Sequence, residues 1–74
     1  MLFEKIKAII CDYFDLEEDE VTPDTTFADI GADSLDMVDL AMSIEDDFSV
    51  EVTEEALEGF TCVEDVVNYI ESAL

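Results

Sequence analysis

The sequence predicts an all-α fold: a small four-helix bundle with a long loop between helices one and two and a short third helix. Apolar residues recur at spacings of three and four in three segments, as on the buried face of an amphipathic helix. Residues 15–33 lack this periodicity and contain Pro23 and Gly31, which favours a loop. The 74 residues leave room for one domain with a thin core, which we expect to span positions 1–74.

Helix one is predicted from Leu2 to Phe14. Its apolar residues share one face of the helical wheel, which we expect to be buried: Leu2, Phe3, Ile6, Ile9, Ile10, Tyr13 and Phe14. Cys11 lies on the opposite side and is expected to be a partly exposed free thiol. Charged residues interrupt the apolar pattern, so this segment predicts neither a signal peptide nor a membrane span. With too few cysteines for a disulfide framework, we expect a cytoplasmic protein.

The loop at 15–33 is longer than most unstructured connections in compact domains. Four isolated apolar residues along it are expected to anchor it across the helices: Leu16, Val21, Phe27 and Ile30. The loop would then hold the following residue, Ser34, in a fixed place.

Helix two is predicted from Ser34 to Phe48, and its apolar residues fall into two neighbouring sets. The first set has the width of a core-facing stripe and comprises Met37, Leu40, Ala41, Ile44 and Phe48. The second comprises Leu35, Val38 and Met42 and is bordered by Asp39 and Asp46. Apolar residues surrounded by carboxylates suggest a docking surface. The alternative is that the other helices of a bundle bury both sets.

Helix three is predicted to be short, with Thr53 as its N-cap and Gly59 at its end. Thr61 and Glu64 have the spacing of a capping box that would begin helix four. Cys62 lies at this start, and we expect it to be structural. One face of helix four is apolar and is expected to be buried: Val63, Val66, Val67, Ile70 and Leu74.

The charge of the chain restricts its partners. Twenty-two acidic residues and two lysines give a formal charge of −20. Such a surface repels nucleic acids and anionic membranes, and it attracts proteins with Lys and Arg patches. We therefore expect basic protein partners, no nucleic acid and no membrane. The same repulsion between copies favours a monomer.

Ser34 is the strongest candidate functional residue. It follows a polar loop that contains Gly31 and opens helix two, where unpaired N–H groups and the helix dipole can hold a phosphate without a basic side chain. The chain contains no histidine, and its two lysines lie on helix one, so a general base for Ser34 is missing. We therefore expect a residue that receives a group from another enzyme, in a protein that is not itself an enzyme.

Two other classes of protein fit the acidic composition. A calcium-binding loop beginning at Asp15 would need Gly at its sixth position and Glu at its twelfth, where the sequence has Glu20 and Thr26. Calcium binding is therefore expected to be diffuse, without a dedicated metal site. An acidic decoy of nucleic acid also remains open, but it has no need for a serine at a helix start. A covalent adduct on Ser34 would distinguish a carrier from both.

The segment from Gly31 to Asp36, Gly-Ala-Asp-Ser-Leu-Asp, resembles the acyl carrier protein family, and the likeness extends across nearly the whole chain. It is greatest to the carriers of type II fatty acid synthesis. The resemblance implies a four-helix bundle in which Ser34 bears a covalent 4′-phosphopantetheine, transferred from coenzyme A by a phosphopantetheinyl transferase. It implies that the arm holds growing fatty acyl chains as thioesters. Carriers of polyketide, amino acid or D-alanine groups are the alternative within the family.

The resemblance also implies roles for two sets of residues. Docking on basic patches of the transferase and of fatty acid synthesis enzymes falls to Asp33, Leu35, Asp36, Asp39, Met42 and Asp46. The acyl chain is expected to retreat into a pocket lined by Leu40, Ile44, Val52, Ala56, Leu57 and Phe60. Phe60 stands where relatives often have isoleucine, and its bulk is expected to shrink or redirect this pocket.

Overall fold

The computed structural model describes residues 2–74, and its architecture confirms the predicted all-helical fold. The α-helices are α1 (Leu2–Phe14), α2 (Ser34–Phe48), α3 (Glu54–Gly59) and α4 (Val63–Ala73). A single 3₁₀ turn, Glu18–Glu20, lies in the connection between α1 and α2. Helices α1, α2 and α3 have the predicted bounds. Among the described residues, no helix is both long enough and apolar enough to cross a membrane.

The core lies between α1, α2 and α4. Its buried side chains come from these three helices and from the long loop: Ile6, Ile10, Val21, Phe27, Leu40, Ala41, Ile44, Val63, Val66 and Ile70. The short helix α3 contributes no buried side chain to it. Since burial of apolar area is the main stabilising term, α3 is the helix that the core holds least firmly.

The long loop is ordered by contacts with the helices, as its apolar anchors predict. Val21 and Phe27 are buried, and Leu16 and Ile30 pack against the core. The Phe27 N–H donates to the Thr61 carbonyl at 3.0 Å, beside an isolated bridge between Thr26 and Cys62. These bonds attach the loop to the start of α4.

Two residues that lie on predicted apolar faces are exposed. Tyr13 is 38% exposed, because its hydroxyl reaches polar partners on α2 instead of entering the core. Leu74 is 71% exposed, because it follows the last residue of α4. Cys11 is partly exposed as predicted, although it also packs against the core. Partial burial, with the nearby Glu18 carboxylate, raises the pKa of the Cys11 thiol.

The predicted capping box of α4, Thr61 with Glu64, is wrong by one residue. The cap is Cys62, and the carboxylate of Asp65 accepts the N–H groups of Thr61 and Cys62 at 3.0 and 3.2 Å. Pairing with the loop keeps the chain extended through Cys62, so the helix begins at Val63. The backbone N–H groups of Thr61 and Cys62 lower the pKa of Asp65.

Candidate functional site

Ser34 is the first residue of α2, and the residues around it fix this helix start. The carboxylate of Asp33 accepts the Asp36 N–H at 2.9 Å, and the carboxylate of Asp36 accepts the Asp33 N–H at 3.2 Å. This reciprocal capping box satisfies two of the N–H groups at the start of α2. The N–H groups of Ser34 and Leu35 find no acceptor within residues 2–74. The Ser34 side chain is exposed beside them.

The backbone conformation of the turn before α2 favours a glycine. Gly31 has φ +74°, a left-handed conformation that side chains disfavour, and its N–H donates to the Ala28 carbonyl at 3.2 Å. The next N–H, of Ala32, donates to the Phe27 carbonyl at 2.9 Å. Because Phe27 is buried, these bonds connect Ser34 to the core through only a few residues.

No basic side chain lies beside Ser34. Lys7 forms an ion pair with Glu4 at 3.3 Å and lies over the Phe3 ring, all within α1. Lys5 shares a surface cleft with Phe48, at the opposite end of α2 from Ser34. The site can therefore hold a phosphate by backbone N–H groups and the helix dipole, but it has no base to activate the hydroxyl.

The second apolar stripe of α2 faces solvent. Leu35 is 71% exposed, Val38 43% and Met42 57%. The acidic residues proposed for docking surround this stripe: Asp33, Asp39 and Asp46 are exposed, and Asp36 is partly buried. The other helices therefore cover only the first apolar set of α2 and leave the second set exposed. Five of the six predicted docking residues belong to α2, and the sixth, Asp33, is its N-cap.

Tyr13 joins this acidic cluster, which the sequence did not predict. From the last turn of α1, its hydroxyl lies 3.0 Å from Asp39 Oδ2 and 3.3 Å from Asp36 Oδ1. Partial burial and then the two carboxylates raise the pKa of Tyr13 to about 12, so the phenol is protonated and donating at neutral pH. A helical wheel shows an aromatic ring on an apolar face; it does not show an acceptor on another helix.

Two spaces lie between α2 and α3. An open groove of about 630 Å³ begins at Ser34 and is lined by Phe27, Ala28, Ala32, Asp33, Ser34, Met37, Val38, Glu54, Leu57, Glu58, Phe60 and Thr61. A second, small apolar cavity of about 10 Å³ shares Met37, Leu57 and Phe60 with the groove and is lined by Met37, Leu40, Ala41, Ile44, Val52, Leu57, Phe60 and Val66. Five of the six predicted pocket residues line this cavity. Ala56 does not; it lines a cleft between α3 and α4.

Most of the residues that line the groove were not predicted from the sequence. Phe27 and Ala32 belong to the loop, and Glu54 and Glu58 to α3, so no local pattern brings them together. Among residues 2–74, no group of three or more His, Cys, Asp or Glu residues is placed to hold one metal ion.

The site has the features that a phosphopantetheine needs: an exposed hydroxyl, unpaired N–H groups for the phosphodiester and an adjoining groove for the arm. In agreement, a family model described as a phosphopantetheine attachment site matches residues 4–70. The protein is therefore a carrier with a 4′-phosphopantetheine prosthetic group. Proteins of this class present the bound group to other enzymes and are not catalysts.

Curated relatives identify the family within this class of carriers. Three acyl carrier proteins, from three strains of Clostridium perfringens, are each 49% identical to this chain over 70 residues. The match covers 93% of this chain and 92% of each relative. The chain belongs to the acyl carrier protein family. Membership favours a carrier over an acidic decoy or a diffuse calcium-binding protein.

Proposed function

We propose that Ser34 is the attachment point of the phosphopantetheine and that the chain carries growing fatty acyl groups as thioesters between fatty acid synthesis enzymes. The observation that carries this proposal is the uncovered start of α2. There the Ser34 hydroxyl is exposed, two neighbouring N–H groups lack partners within the described residues, and the 630 Å³ groove begins. A phosphodiester on Ser34 would accept hydrogen bonds from this helix start.

The exposed side of α2 is the proposed docking surface for the transferase and the synthesis enzymes. Leu35 and Met42 offer apolar contacts at its centre, and the four aspartates around them attract Lys and Arg side chains. Because no lysine of α1 pairs with these aspartates among the described residues, their charge is available to a partner. Electrostatic attraction of this kind mainly raises the association rate.

The cavity between α2 and α3 is the proposed entry point for the acyl chain. Its 10 Å³ hold at most one water molecule, which needs about 10–15 Å³, so an acyl chain requires α3 to move away from α2. Helix α3 suits this movement because it is six residues long and buries no side chain fully. The bulky Phe60 lines both the groove and the cavity, and it can control passage between them.

The proposal includes a monomer that works in the cytoplasm. Both cysteines, Cys11 and Cys62, are free, which suits a reducing compartment. The charge of −20 opposes association between copies at moderate salt.

Intact mass spectrometry tests the attachment site. After incubation with a phosphopantetheinyl transferase and coenzyme A, the protein should gain the mass of one phosphopantetheine. Ser34→Ala should gain none, while its helical circular dichroism stays unchanged, because this exposed position tolerates alanine at about 1 kcal/mol or less. Ser43→Ala, a matched change at an exposed serine of the same helix, should be modified normally. A modified Ser34→Ala protein would refute the assignment.

Loading of the arm tests the fatty acyl role. The phosphopantetheinylated protein should accept malonyl groups from the malonyl transferase of a type II fatty acid synthase and should support chain elongation. Refusal by that transferase, together with loading by a D-alanine ligase or an amino-acid-activating enzyme, would instead place the chain among the other carriers of its family.

A further inference from the structure

The hydroxyl of Tyr13 bridges two helices at the proposed docking surface. It lies 3.0 Å from Asp39 and 3.3 Å from Asp36, whose carboxylates occupy successive turns of α2. Like charges at this spacing on a helix repel each other. Neither lysine is paired with these two carboxylates in residues 2–74, so the phenol is the side-chain donor that they share.

The bridge leaves most of the acceptor capacity of the two carboxylates free. An ionised carboxylate has about four lone-pair positions, and the single phenol hydrogen, shared between the two aspartates, occupies at most one of them on each. The second oxygen of Asp36 accepts the Asp33 N–H at 3.2 Å, which fixes that side chain at both ends. The Tyr13 ring is itself restrained, since it packs edge-on against Phe14 with 4.8 Å between ring centroids.

We propose that Tyr13 is a positioning residue for partner docking, whose hydroxyl holds Asp36 and Asp39 in the orientation that a basic protein surface meets. The inference rests on the docking surface proposed above. A guanidinium or ammonium group that meets two carboxylates already in place avoids the entropy loss of ordering them. Tyr13 thereby extends the docking surface from α2 onto α1.

The test compares Tyr13→Phe with the unchanged protein as substrates of a phosphopantetheinyl transferase with coenzyme A. We expect kcat/KM to fall about threefold to tenfold, through a higher KM with kcat preserved, because one or two side chains must be ordered on binding. The formal charge stays the same, so the salt dependence of the rate should not change. Tyr69→Phe is the matched control; it removes a hydroxyl bonded to the Glu51 carbonyl, outside α2 and the predicted docking residues, and should keep its KM.

Two further measurements separate positioning from a general loss of structure. In Tyr13→Phe, the NMR couplings that report the χ1 angles of Asp36 and Asp39 should shift from one rotamer towards an average. In a background of Asp36→Asn with Asp39→Asn, the change from Tyr13 to Phe should have little further effect on KM. An unchanged KM, or unchanged couplings, in Tyr13→Phe overturns the inference. Failure of the unchanged protein to be modified would instead overturn the proposed function.

Discussion

The starts of helices α2 and α4 share one capping interaction. In each, an aspartate at the third helical position accepts the N–H of the cap residue at 3.2 Å: Asp36 from Asp33, and Asp65 from Cys62. Both caps keep an extended backbone before the helix starts. This shared interaction does not explain why one start would be functional and the other structural.

The difference comes from the long loop. At α4, the Thr25 carbonyl accepts the Val63 N–H and the Pro23 carbonyl accepts the Glu64 N–H, both at 2.9 Å. At α2, the equivalent N–H groups of Ser34 and Leu35 meet no acceptor in the described part of the chain. The loop thus closes one helix start and leaves the other open. Whether a helix start can hold a phosphate depends on this tertiary cover, more than on the cap itself.

Charge reversal on α2, compared with the same change on α4, should give the largest difference in association rate. Asp39→Lys with Asp46→Lys changes two exposed aspartates of α2 and avoids Asp36, which caps the helix. We expect the association rate with a phosphopantetheinyl transferase to fall about tenfold to a hundredfold at low salt, since attraction becomes repulsion. Stopped-flow binding at several salt concentrations measures this change.

The control makes the same charge change on α4. Glu64→Lys with Glu71→Lys alters two exposed glutamates there. This variant should keep a near-normal association rate, because its changes lie away from the open helix start. If both variants slow association equally, net charge rather than the α2 surface steers the partner, and the docking proposal is wrong.

The same contrast separates what the sequence could predict from what it could not. The bounds of α1, α2 and α3 follow from apolar spacing and from local caps such as Thr53, whose hydroxyl accepts the Ala56 N–H at 3.1 Å. The start of α4 was missed because pairing of Thr26 with Cys62, far apart in the chain, holds the backbone extended. Local patterns contain no information about that pairing.

The candidate site divides in the same way. Ser34 and the exposed stripe of α2 were predictable, since both depend on one segment of sequence. Tyr13 and the groove were not, because each needs α1, α3 or the loop placed against α2. Tyr13 and Asp39 are 26 positions apart. A tyrosine on an otherwise apolar helix face, with a nearby acidic helix, is the only hint that the sequence contains.

Removing the two equivalent aspartates should separate stability from function. Asp65→Ala and Asp36→Ala each remove the carboxylate that accepts the N–H of a cap residue, so each should lower the free energy of unfolding by about 1 kcal/mol. Only Asp36→Ala should also slow modification of Ser34. Urea unfolding and intact mass time courses measure the two effects. Equal slowing in both variants would show that stability alone limits modification.

The stability effect at Asp65 should depend on pH. Its pKa is lowered in the folded protein, so the ionised form contributes stability at pH values above the ordinary aspartate pKa of about 4. That contribution is lost as the pH falls through the lowered value. The difference in unfolding free energy between the unchanged protein and Asp65→Ala should therefore shrink on acidification below about pH 4. A difference that stays constant down to pH 2 would show that the hydrogen bonds from Thr61 and Cys62 to Asp65 do not depend on the charge of its carboxylate.

The ionisation of Tyr13 reports on the bridge between α1 and α2, and it is the prediction with the smallest expected effect on function at neutral pH. In Tyr69→Phe, Tyr13 is the only tyrosine left. Its tyrosinate absorbance should appear near pH 12, because the folded pKa is raised to about 12 by partial burial and the two carboxylates. The bridge is then intact below the ordinary tyrosine pKa of about 10 and is lost as the pH rises through 12. Adding Asp39→Asn should move the pKa of Tyr13 towards 10. Adding Glu64→Gln on α4 should leave this pKa in place. Equal shifts in both variants would mean that the overall negative charge, and not the hydrogen bond at α2, holds the proton on Tyr13.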